Sequence, residues 1–167
     1  MITTKLKIRV TGDPCLRKKS AFIKEFGISQ RCLVESMFEA MYDNRGVGLA
    51  APQVGINEQI FVADIGQGPL VFINPHIIKK SGSDCLEEGC LSIPGVVVNV
   101  RRPKKITVRY LNENNRMVER EYTDLLARVI LHETDHLNGR LIVDYAGFIE
   151  RRKLKKQLQE KAQENPS

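Results

Sequence analysis

The sequence predicts an α+β fold, with antiparallel β-sheets surrounding a central helix that carries an H-E-x-x-H pattern and a further helix toward each end of the chain. Three observations carry that expectation. Five short runs rich in Val, Ile, Tyr and Phe occupy the middle of the chain. Helical periodicity is confined to three segments. His132-Glu133-Thr134-Asp135-His136 lies in the second of them. At 167 residues the chain reads as one domain, 1–167, long enough to bury about two thirds of its unfolded surface. Its hydrophobic content of 42% is ordinary for a globule, and no apolar run reaches membrane-spanning length, so no membrane partner is expected. Met1 to Gly12 holds three basic residues and no acid but lacks the length and composition of a transit peptide. A cytoplasmic bacterial protein is therefore expected ahead of a mature organellar one, and a monomer is the expected state.

Ser29 to Asp43 reads as the first helix, with Leu33, Met37 and Met41 on one stripe and Cys32 beside them as a small buried hydrophobe. Gly46-Val47-Gly48-Leu49-Ala50-Ala51-Pro52-Gln53 follows. It formally matches G-x-G-x-x-A, yet a dinucleotide fingerprint needs a strand before it and a helix opening inside it. Here a helix precedes it, and Pro52 disfavours another. Two readings stay open: a plain tight turn, or a run of small residues that lets another backbone approach and ends in an amide able to donate a hydrogen bond. The strands are expected at Gln59 to Asp64, Leu70 to Lys79, Val96 to Arg101, Lys104 to Leu111 and Met117 to Tyr122, separated by Gly, Pro or Asn. His76, in the second of them, is read as structural.

The central helix is expected from about Asp124 to about Leu137. Leu125, Val129, His132, Glu133 and His136 follow the rhythm of one face. Thr123 or Asp124 can cap its start, and Asn138-Gly139 supplies residues that tolerate a left-handed end. Thr134 and Asp135 fall toward the other side and read as solvated or locally bonded. Two imidazoles one turn apart beside a carboxylate form the metal-hydrolase pattern, and a catalytic metal then needs a third protein ligand. The metzincin pattern fails at its last position, Ile142. A downstream glutamate would have to be Glu150 or Glu160, both in a Lys- and Arg-rich segment.

The better candidate is Cys90, within Glu87-Glu88-Gly89-Cys90-Leu91-Ser92-Ile93-Pro94. Its thiolate is a strong ligand for zinc or ferrous iron and completes the set Cys90, His132, His136. Cys15 and Cys85 have no motif context, and without a recognisable secretory signal free thiols are expected rather than disulfides. Such a centre leaves a position for water, whose pKa it brings toward ~7, and Glu133 stands ready to take the proton.

GVGLAAPQ, EGCLS and HETDH, in this order and spacing, resemble the three signature motifs of the peptide deformylases. The resemblance runs roughly from Asp13-Pro14-Cys15-Leu16-Arg17 to Asp144-Tyr145. It departs mildly at Leu131, where many relatives have glutamine. It implies a metal-dependent hydrolase that removes the N-formyl group from the initiator N-formylmethionine of nascent polypeptides and releases formate. In that reading hydroxide generated on the metal attacks the formyl carbon, Glu133 serves as general acid/base, and the Leu91 N–H with the Gln53 amide stabilises the oxyanion. One divalent ion is implied, ferrous iron natively, with zinc or nickel able to replace it. The substrate backbone would meet strand edges near Val47-Gly48 and Glu88-Gly89. Leu125 and Val129 would wall the methionine pocket, although periodicity does not separate that role from ordinary core. A general metallopeptidase is disfavoured by Cys90 and the missing downstream ligand. A non-catalytic ribosome-associated module is disfavoured by the intact ligands and base.

Residues 147–163 read as a basic helix. Between Glu150 and Lys161 six basic residues face two acids, a large part of the net charge of +6. A solvated helix is the plain reading; the resemblance implies contact with the ribosome near the exit tunnel, through RNA phosphate. Residues 164–167 are expected to be disordered.

Overall fold

Strand pairing is antiparallel in both sheets, one of five strands in the spatial order first, second, third, sixth, seventh along the chain and one of the remaining two. The computed structural model describes residues 5–154 and 156. The strands are β1 (Gly48–Ala50), β2 (Ile60–Ala63), β3 (Leu70–Ser81), β4 (Asp84–Gly89), β5 (Val97–Arg102), β6 (Lys105–Leu111) and β7 (Met117–Thr123). Helix α1 (Ile28–Asp43) precedes them and α2 (Asp124–Leu137) follows. Short 3-10 turns occupy Pro14–Arg17, Ala51–Val54 and Ile142–Tyr145, and residues 148–154 are helical. The expected C-terminal helix thus starts one residue later than read, residue 156 is helical as well, and residues 155 and 157–163, with the tail 164–167, lie outside the described residues.

The part of the five-stranded sheet formed by β1, β2 and the start of β3 is buried on both faces because its residues alternate between two cores. Ile60 and Val62 of β2, with Val71 and Ile73 of β3, pack with Met37 and Met41 of α1. Phe61, Ala63 and Phe72 turn the other way, toward Ile106, Val108, Tyr110 and the α2 residues Ala127, Val129 and Ile130. Phe61 and Phe72 stack at 4.6 Å between centroids, and the buried Tyr110 and Tyr122 hydroxyls share a hydrogen bond of 2.6 Å. Each fully buried aliphatic side chain contributes roughly 1.5–3 kcal/mol here. A third core joins β5 to the C-terminal part of the chain through Val98, Val100, Leu141, Ile142 and Leu154.

Helix α2 has the sequence-derived bounds. Asn138 ends it, and Gly139 follows at φ +71° in the left-handed region. A Cβ at Gly139 would lie 2.4 Å from the Arg17 carbonyl oxygen, so glycine serves both the turn and the contact. The helix packs on β1, β2, β6 and β7, and Arg128 on it donates to the Val100 carbonyl of β5 at 2.9 Å. It thus contacts both sheets.

Several expectations need correction. GVGLAAPQ is more than a plain turn: Gly48–Ala50 pairs backbone to backbone with β2, Ala51–Val54 forms a 3-10 turn, and the Gln53 amide that ends the run donates to Ser92 Oγ. Strand β4 was absent from the sequence reading, because Asp84–Gly89 is mostly exposed and has no apolar alternation. Cys32 is exposed; the buried residues of α1 are Val34, Ser36, Met37, Ala40 and Met41. Other strand ends move by one or two residues, as nonlocal pairing extends or trims what local composition suggests. No helix among the described residues is long and apolar enough to cross a membrane.

Candidate active site

Strand β4 and helix α2 bring three ligand-type atoms together. Cys90 immediately follows β4, while His132 and His136 sit one turn apart on α2. Cys90 Sγ lies 3.3 Å from His136 Nε2, and the two Nε2 atoms are 3.2 Å apart. The ligand atoms all fall within 4.8 Å of one another. A tetrahedral ion with metal–nitrogen and metal–sulfur bonds of about 2.0–2.3 Å separates its ligands by roughly 3.3–3.8 Å, so the donor set suits a divalent cation and the two spacings made by His136 lie close to that geometry. Its electrostatics fit as well. Burial opposes charge on His132, but Cys90 and the carboxylates of Glu88 and Glu133 outweigh it and raise the imidazole to about 10. Surroundings that hold a proton this firmly also suit a cation. His136, fully buried and beside His132, is pushed well below the ordinary histidine value and presents a neutral ring.

His132 is oriented from behind. Its Nδ1 meets Glu88 Oε2 at 3.0 Å, which leaves Nε2 for the cation. Glu88 in turn accepts from Arg102 Nε (2.6 Å) and Nη2 (2.9 Å) and from Arg128 Nη1 (2.7 Å). Burial resists its ionisation, yet the hydrogen bonds from His132 and Arg102 hold the carboxyl down to about 2. Arg102 is buried because β5 alternates, sending Val98, Val100 and Arg102 inward. Asp135 is not the solvated residue expected: it accepts from Arg102 Nη1 at 2.9 Å and from the Tyr145 hydroxyl at 2.7 Å. Thr134 is locally bonded as expected, donating to the Ile130 carbonyl at 2.7 Å.

Glu133 is buried, and burial raises its carboxyl to about 7 against the lowering effect of His132 and Arg102. Its Oε2 has no hydrogen-bond partner among the described residues. A carboxyl poised near neutrality with a free acceptor is suited to moving a proton. Gly48 makes room for it: a Cβ there would lie 2.5 Å from Glu133 Oε1, and one at Gly46 would lie 2.9 Å from Leu91 Cδ1. The small residues of GVGLAAPQ therefore admit side chains.

Gln53 is fully enclosed, and its Oε1 accepts from the Ala50 N–H at 2.8 Å. That bond fixes the amide orientation, sending Nε2 toward Ser92 Oγ (3.3 Å) and Cys90 Sγ (3.6 Å). The amide hydrogens therefore lie beside the ligand cluster.

A cleft of about 660 Å³ opens onto these groups, with Val47, Gly48, Glu88, Gly89, Leu125 and Val129 in its wall. Leu91, Gln53, Cys90, His132 and Glu133 line it too. Leu125 is half exposed at its edge, whereas Val129 is shared with the second core. The Glu88 side chain is committed to the arginines and His132. His76 lies on β3 away from the cleft lining, and His136 lies behind the lining with its Nδ1 unpartnered among the described residues. Sequence reasoning missed Arg102, Arg128, Ser92 and Tyr145. The available signal was Arg128, a basic residue one turn before His132 on the apolar face, which requires a buried carboxylate partner.

Comparison with known proteins places these features in context. A family model described as polypeptide deformylase matches residues 5–152. The chain is 51% identical over 137 residues to the peptide deformylase of Alkaliphilus metalliredigens, covering 82% of this chain and 93% of that protein. It is 48% identical over 153 residues to that of Pseudothermotoga lettingae, covering 91% and 89%. The crystal structure of a peptide deformylase from Legionella pneumophila superposes with a TM-score of 0.90 at 37% identity, covering 96% of each chain.

Proposed function

The chain belongs to the polypeptide deformylase family of metal-dependent hydrolases, which remove the N-formyl group from nascent peptides, and from that premise we propose how its own residues carry out the reaction. Cys90, His132 and His136 hold one divalent cation, ferrous iron natively, with zinc or nickel as replacements. When bound, it supplies Lewis acidity and brings the pKa of a water toward ~7. Glu133 accepts that water's proton and returns it to the departing amine, a role supported by its burial, raised pKa and free Oε2. As the formyl carbon becomes tetrahedral, the Gln53 Nε2–H and the Leu91 N–H stabilise the negative oxygen. Gln53 is preorganised for this by its bond from Ala50.

The substrate is an N-formylmethionyl peptide in extended form. Strand β1 is one edge of its sheet and β4 pairs with β5 alone, so Val47-Gly48 and Glu88-Gly89 offer main-chain groups for strand addition. Leu125 and Val129 flank the methionine side chain. The basic C-terminal helix brings the enzyme, as a cytoplasmic monomer, to the ribosome near the exit tunnel. The observation that carries this reading is the convergence of Cys90, His132, a desolvated carboxyl and an oriented amide in one cleft, with the third ligand atom, on His136, directly behind its wall. Formate release from formyl-Met-Ala-Ser, set beside cleavage of unformylated Met-Ala-Ser, tests it. Formate from the first peptide and no cleavage of the second is the expected result; peptide-bond cleavage without formate would identify a general metallopeptidase instead.

A further inference from the structure

The three candidate ligands come from elements that share no strand pairing: Cys90 follows β4, which pairs with β5 alone, and both histidines belong to α2. What joins them is a buried run of ion pairs. Arg128, one turn before His132, donates through Nη1 to Glu88 Oε1 (2.7 Å) and to the Val100 carbonyl (2.9 Å). Its Nη2 reaches the Asp84 carboxylate at the other end of β4. Arg102 binds Glu88 through two nitrogens and returns to α2 at Asp135. Arg128 and Asp135 therefore bracket His132 on α2, while Asp84 and Glu88 tie down the strand that leads into Cys90. Arg128 itself is buried in the wall of the cleft.

We propose that Arg128 is a positioning residue for the metal centre: its forked guanidinium holds β4 against α2 and fixes the Glu88 carboxylate, which sets both the His132 ring and the reach of Cys90. The inference rests on reading Cys90, His132 and His136 as the ligands. A buried ion pair is weak evidence for stability, since a hydrocarbon of similar length often fills such a space equally well. Its value here is geometric. Two hydrogen-bonding nitrogens in one rigid plane reach two carboxylates and a carbonyl at once, which a lysine cannot do from a single ammonium. Loss of a group behind a metal-bound histidine typically weakens metal affinity about 10- to 100-fold.

The test uses the nickel-loaded protein and follows transfer of Ni²⁺ to excess chelator, together with the thiolate-to-nickel absorption band. Arg128→Met should release nickel about 10- to 100-fold faster than the wild type and shift the band. Arg128→Lys should fall between them and serves as the readout if the methionine variant does not fold. Val108→Ala, a cavity in the core on β6, should lower thermal stability while leaving nickel release and the band unchanged. Wild-type release and an unshifted band in Arg128→Lys or Arg128→Met would overturn the proposal, as would equal acceleration in Val108→Ala. Cys90→Ala separates the two levels: if it retains nickel as the wild type does, the ligand reading itself has failed.

Discussion

Four cysteines in one chain meet three different environments. Cys32 and Cys85 are exposed. Cys15 is partly buried, and burial together with the neighbouring Asp13 carboxylate pushes its thiol up to about 11. Since the thiolate is the reacting form, alkylation at pH 8 should label Cys32 and Cys85 rapidly and Cys15 slowly. Cys90, in the proposed role of metal ligand, should react only after chelation. Mass spectrometry of the labelled protein before and after metal removal checks this, and prompt labelling of Cys90 in the metal-loaded protein would remove it from the ligand set. At this scale the sequence was most legible where chemistry is local. The spacing of HETDH put both histidines on one face, and the glycine- and proline-bounded context selected Cys90. Cys32 was misjudged because a helical stripe can be drawn through it, and only packing shows that Val34, Met37 and Met41 form the buried side. Arg128 signals by its place on the apolar face that it needs a carboxylate but not which one, and Asp135 gives no such signal; their charged partners lie more than thirty residues away.

Among the elements, α2 was read to its ends because its apolar period and Gly139 stop lie within its own stretch of chain, although Thr123 at the N-cap makes no side-chain capping bond. The opposite holds for β1 and β4. Three residues of GVGLAAPQ become a strand through pairing with β2, and Asp84–Gly89 becomes one through pairing with β5; neither partnership is written in local composition. The placement of β1 against α2 yields a sharp expectation for Gly48→Ala. The added methyl would lie 2.5 Å from Glu133 Oε1 and 2.9 Å from Val129 Cγ1, and the carboxyl end of a flexible side chain moves more readily than backbone. The variant should therefore fold and retain metal while losing about 10²-fold or more in kcat, as expected when an acid-base group is displaced. Circular dichroism, metal content and turnover measured on one preparation decide it; unchanged kcat would mean that Glu133 tolerates displacement and is not acting from the observed position.

For the whole molecule, the basic end is a matter of charge more than of fold. Helical residues 148–154 dock through Leu154 into the third core, while Arg152 and Lys153 are exposed. Reversing both charges with Arg152→Glu and Lys153→Glu should weaken cosedimentation with ribosomes and flatten its salt dependence, with hydrolysis of short formyl peptides preserved. Equal pelleting of the variant and wild type at low and physiological salt would leave the helix with only its packing role. In the proposed reaction one buried carboxyl, Glu133, moves the proton beside a Cys, His, His cation site in the cleft. Formate release by wild type and Glu133→Ala, matched for bound metal and compared on formyl-Met-Ala-Ser, tests it most directly. With metal and fold intact, kcat of the variant should fall by at least ~10² to 10⁴; near-normal turnover by Glu133→Ala would rule out Glu133 as the proton carrier.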